Sequence, residues 1–123
     1  MQDKSKQIFD DTQIYICGQT YTIQLSNNAC HFYNDACNLT EKRINGFIDY
    51  APQKITINSE ISFSHQIATL LHELCHAIFK FYDVQTVFNV QEDEEIICDT
   101  IGAGMLSFLI NNKPLMERIL KEL

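Results

Sequence analysis

Apolar and polar positions alternate first with the period of a strand and later with that of a helix. Ile14, Ile16, Tyr21, Ile23 and Leu25 alternate with mostly polar neighbours, and Cys17-Gly18-Gln19-Thr20 separates the two runs. That pattern predicts a β-hairpin over residues 13–25. Residues 46–50 and 54–58 are two more β-rich runs about Ala51-Pro52-Gln53, a second hairpin. Between residues 64 and 82 the spacing lengthens. Ile67, Leu70, Leu71, Leu74, Ile78 and Phe81 fall on one helical stripe, with Ser62 or Ser64 placed to cap its start. A second helix is expected from Glu92 through Ile110, opened by Glu92-Asp93-Glu94-Glu95. Acidic residues suit a first turn because they complement the helix dipole. Asn111-Asn112-Lys113 breaks it, and Pro114 starts a short final helix to Leu123. Residues 1–12 are polar and read as a loose lead-in, residues 26–40 as irregular and residues 83–91 as a loop. The sum is an α+β domain over residues 1–123, a short antiparallel sheet packed on the helix at 64–82.

Composition narrows the class. The 123 residues are 46% hydrophobic, enough for one core and too few for two domains. No run reaches the length of a membrane span, and the polar start lacks a secretory h-region, so a cytoplasmic protein without a membrane partner is expected. The net charge is −7 and no basic cluster exceeds Lys42-Arg43, which argues against nucleic acid as a partner. Five cysteines at irregular spacing read as free thiols.

The candidate chemistry lies within the long helix, in His72-Glu73-Leu74-Cys75-His76. At about 100° per residue, His72 and His76 stand roughly 40° apart and one turn along the axis, so both imidazoles reach one zinc ion. Glu73 sits about 100° around the helix. It is placed to take a proton from water rather than to ligate, on the wetter edge of the histidine face near Thr69 and Lys80. His65, two turns back, and His31, in a polar loop, read as surface residues. Cys75 and Cys98 read as small buried fillers. Gly102 and Gly104 weaken a helix and are expected to let the second helix cross close to the first, with surface tolerance the alternative for Gly104.

A catalytic zinc needs a third protein ligand and an open position. Glu94 and Glu95 are the candidates. Glu94 projects more squarely into the apolar stripe of the second helix. Glu95 leaves Asp99, one turn on, to accept the N–H of a ligand histidine and fix its orientation. With its glutamate-bearing second helix, the segment resembles the gluzincins, thermolysin-like peptidases in which the ligand glutamate opens an E-x-x-x-D motif, here Glu95-Ile96-Ile97-Cys98-Asp99. It is more similar still to the ImmA/IrrE-like metallopeptidases of bacteria and their phages, over roughly residues 44–112. Glu95, Cys98, Asp99, Ile101, Gly102, Ala103, Met105 and Leu106 fit that register.

The resemblance implies a minimal zincin-like fold, zinc on His72, His76 and Glu95, Glu73 as general base and Asp99 behind the ligands. It also implies a protein or peptide substrate, such as a specific regulator, held along an edge strand near residues 54–58. Tyr50, Tyr82 and His31 are unranked candidates for oxyanion stabilisation. The alternative is a non-catalytic zinc domain used for stability or partner binding. Its site would be closed by a fourth ligand such as Cys98 or a second carboxylate.

Overall fold

The structure is a computed structural model, and it describes residues 2–30, 44–84, 93–111 and 113–122. The elements in chain order are α1 (Gln2–Phe9), β1 (Gln13–Ile16), β2 (Gln19–Leu25), β3 (Gly46–Asp49), β4 (Lys54–Ile57), α2 (Phe63–Tyr82), α3 (Glu94–Asn111) and α4 (Lys113–Glu122). The class is α+β, as expected.

Both hairpins form. β1 and β2 pair antiparallel with Ile16 opposite Gln19, so Cys17 and Gly18 make the two-residue turn. Both have positive φ, the geometry whose twist matches the flanking strands. β3 and β4 pair antiparallel about residues 50–53. The expected antiparallel sheet is nevertheless corrected. β2 and β4 run parallel, with Ile23 opposite Ile55, giving one mixed sheet in the order β1-β2-β4-β3. Tyr21, Ile23, Ile55 and Ile57 must share one buried face, and the long connection from β2 to β4 permits the crossover that parallel pairing requires. β4 is therefore internal. Among the described residues the edge strands are β1 and β3, not residues 54–58.

The lead-in expected at residues 1–12 is also corrected. Residues 2–9 are helical, and Phe9 is buried with its ring 5.6 Å from that of Phe63. The Asp10 carboxylate then accepts from the Leu25 N–H at 3.0 Å, tying this end of the chain to β2. Of the expected irregular stretch, residues 27–30 are helical. The remainder, with His31, lies outside the described residues, as does most of the expected loop at 83–91.

α2 opens on Ser62, whose hydroxyl accepts from the His65 N–H at 3.3 Å, and closes on Asp83 in the left-handed region. Ile67, Leu70, Leu74 and Ile78 pack against the sheet core of Ile16, Tyr21, Ile23, Ile55 and Ile57. Phe81, expected on the same stripe, is largely exposed where the helix overruns the sheet. A second buried line, Thr69, Glu73 and His76, follows the i, i+4, i+7 positions.

Two glycines set these approaches. A Cβ on Gly46 would stand 2.5 Å from Thr69 Cγ2 and 2.7 Å from the Thr56 carbonyl oxygen, so β3 lies directly against α2. A Cβ on Gly102 would stand 3.1 Å from the His72 backbone nitrogen, and α3 crosses α2 at the first histidine. Gly104, by contrast, faces open space.

Gly46→Ala is expected to lower stability by about 1–3 kcal/mol through overpacking. Gly104→Ala should raise it by up to about 1 kcal/mol through helix propensity. Urea denaturation of the two variants beside the parent checks both signs.

Candidate metal centre

Because α3 crosses α2 at His72, side chains from the two helices converge. His72 Nε2 and His76 Nε2 lie 3.1 Å apart. Glu95 places one carboxylate oxygen 3.1 Å from His72 Nε2 and the other 2.8 Å from His76 Nε2. Behind the rings, His72 Nδ1 meets Asp99 Oδ1 at 2.6 Å and His76 Nδ1 meets Glu94 Oε2 at 2.5 Å.

Proton bookkeeping shows what this cluster asks for. An ionised carboxylate only accepts, so each Nδ1 carries the ring proton and donates it backwards. Each Nε2 is then left with a bare lone pair. Two such lone pairs and a carboxylate facing one another are mutually repulsive unless a cation, or a further ring proton donated to Glu95, lies among them. The spacing suits one. Ligand atoms bound to a single tetrahedral ion at about 2.0–2.1 Å stand roughly 3.3 Å apart. His72, Glu73 and His76 offer ligand atoms within 4.8 Å of one another and can hold a metal ion, and the distances above bring Glu95 to the two histidines.

The two glutamates that the sequence left in competition divide the work. Glu95 faces the histidine Nε2 atoms, and Glu94 stands behind His76 as Asp99 stands behind His72. Consecutive positions on one helix put the two carboxylates on different sides of the same imidazole.

Glu73 requires a correction. Expected on a wet edge, it is 5% exposed, because β3 packs over the Thr69–Glu73–His76 line that periodicity alone had left open. Its carboxyl is raised to about 7, first by burial and then by Glu95 and Asp99, with nearby His72 opposing the rise. A metal dication at the centre adds to the downward pull.

The centre opens to solvent along the β3 edge. One cavity is lined by Phe47, Ile48, Tyr50, Glu73, His76 and Glu95, and an adjoining one by Asn45, His65, Thr69, His72, Asp99 and Ala103. Tyr50 donates its hydroxyl to the His76 carbonyl oxygen at 3.3 Å, and Lys80 Nζ lies 5.5 Å from the Tyr50 ring centroid. Of the three oxyanion candidates, only Tyr50 reaches the centre among the described residues. Tyr82 is exposed at the end of α2, and His31 lies outside the description. His65 is exposed at the rim of the second cavity.

Cys75 and Cys98 are buried, as expected of small fillers, but Cys98 is more than that. With His76 and Glu94 it forms a second group whose ligand atoms lie within 4.8 Å of one another and can hold a metal ion. The sequence carried a signal for this, since Glu94 and Cys98 are spaced i, i+4 on one helix face.

The chain matches no protein-family model, no curated protein and no solved structure. Among the described residues, no helix is long and apolar enough to cross a membrane. What the fold and the site define together is an α+β chain with a candidate metal centre at the crossing of two helices.

Glu95→Gln is expected to weaken zinc retention more than Glu94→Gln or Asp99→Asn. Loss of a partner behind a ligand typically costs about 10–100-fold in affinity. Competition titration with a chelating dye ranks the three. The cysteines supply a separate check. Burial pushes Cys98 up to about 12 and Cys30 to about 11, and raises Cys75 as well. The protonated thiol is a poor nucleophile. Iodoacetamide at neutral pH should therefore label the partly exposed Cys17 and spare these three in the native protein, read by peptide mass mapping.

Proposed function

We propose that this chain is a zinc-dependent metallopeptidase of the zincin type, in which His72, His76 and Glu95 hold the ion and Glu73 is the general base. One observation carries the reading: two Nε2 atoms and a carboxylate converge within 3.1 Å, with a second carboxylate behind each histidine. The soft d¹⁰ ion is favoured because two imidazoles and one carboxylate with an open position are a recurrent catalytic zinc set. The resemblance of His72–His76 and Glu95–Asp99 to the ImmA/IrrE-like pattern supports the same assignment.

When bound, zinc supplies Lewis acidity, which acidifies water and polarises a scissile carbonyl. The remaining chemistry belongs to the chain. Glu73 accepts the proton of the attacking water and returns it to the leaving amine. Its burial favours both steps, because a base poised near neutrality gives its proton up as readily as it takes it. Asp99 and Glu94 hold the ligand rings in one tautomer. β3, an edge strand beside the cavity, offers backbone donors and acceptors to an extended peptide, and Tyr50 is the hydroxyl nearest to hand. The substrate is therefore a polypeptide in extended conformation, such as a specific regulator.

The second reading, a zinc domain without catalysis, draws support from Cys98, which belongs to the second metal-competent group. Glu73 weighs against it. A buried carboxylate held well above its ordinary range costs stability, and a structural site has no use for one.

Glu73→Gln is expected to keep zinc and fold while losing about 10²–10⁴-fold in peptide hydrolysis. The trial is co-expression with candidate substrate proteins, scored for a cleavage made by the parent. Equal cleavage by the variant removes Glu73 from the mechanism.

A further inference from the structure

His76 presents two faces. Its Nε2 looks toward His72 and Glu95, and its Nδ1 looks toward Glu94, with Cys98 alongside. The second face is enclosed. The Cys98 residue is fully buried, and the side chains of His76 and Glu94 are 8% and 12% exposed. Cys75, also buried, makes an S–H···S contact with Cys98, so a second sulfur stands beside the first. One imidazole nitrogen, one carboxylate and one sulfur form a donor set that favours soft and borderline divalent ions over Mg²⁺ or Ca²⁺.

We propose that Glu94, Cys98 and the Nδ1 face of His76 form a second metal site, which takes a thiophilic divalent cation. Two protons leave to solvent when it fills, one from His76 Nδ1 and one from the Cys98 thiol. Glu94 turns from accepting a hydrogen bond to ligating. High thiol pKa does not oppose this, since a coordinated thiol is deprotonated outright. Charge does not oppose it either. Glu94, Glu95 and Asp99 bring three carboxylates to the cluster and Glu73 a fourth carboxyl, and one dication at the first centre balances only two carboxylate charges. With both sites filled, His76 bridges the ions as an imidazolate. An excess of thiophilic metal therefore draws Glu94 from its place behind His76.

The test is stepwise titration of the metal-free full chain with Co²⁺, read by absorption and by proton release. The first equivalent should give d–d bands without a thiolate-to-cobalt charge-transfer band. The second should add that band and release two protons. Cys98→Ala, and Cys98→Val as a bulkier replacement, should keep the first step and lose the second; the retained first step shows that α2 and α3 are assembled. Saturation at one equivalent without a thiolate band would overturn the second site, as would a thiolate band that survives in both variants. A thiolate band on the first equivalent, lost in both variants, would support this site and overturn the peptidase reading, so the two failures are distinguishable.

Discussion

His72 Nε2, His76 Nε2 and the Glu95 carboxylate lie 2.8–3.1 Å from one another across the helix crossing, and lone pairs brought so close call for a shared proton or a cation. The rest of the molecule is arranged around that demand. Gly102 lets α3 cross α2 at His72, which brings Glu95 to the histidines. Asp99 and Glu94 bind the Nδ1 protons and so keep the Nε2 lone pairs directed at the centre.

α2 serves two neighbours at once. Its aliphatic stripe anchors it on the sheet, and its polar line of Thr69, Glu73 and His76 is covered by β3. Gly46 makes that cover possible by admitting β3 against Thr69. Burial of Glu73 follows from the cover. A carboxylate one residue from a metal ligand is held out of water, where its proton affinity rises toward neutrality. The same strand that packs against this line of α2 also borders the cavity, so one element lies beside both the Glu73 carboxyl and the opening.

Adjacent residues on α3 also take different parts. Glu95 and Glu94 flank His76 from opposite nitrogens, and Asp99 repeats behind His72 the role that Glu94 has behind His76. The centre therefore holds more carboxylate than a single dication balances. That surplus is the electrostatic background against which a sulfur-containing face on His76 becomes a second place for metal.

By itself the sequence determined whatever depends on short separations. The i, i+4 spacing of His72 and His76, the cap at Ser62, the Cys17-Gly18 turn and the spacing of Glu95 and Asp99 are local properties, and local sterics and periodicity decide them. The tertiary structure decided what depends on neighbours distant in the chain. Parallel pairing of β2 with β4 joins two hairpins that no local signal relates. The helix at residues 2–9 is held by Phe9 against Phe63, a contact that a polar stretch does not announce. Glu73 is buried where β3 packs on α2, and Glu94 stands behind His76 because α3 crosses α2 close to His72. A helical wheel gives the direction of a side chain from its axis. What waits in that direction is fixed only when separate elements pack together and exclude water between them.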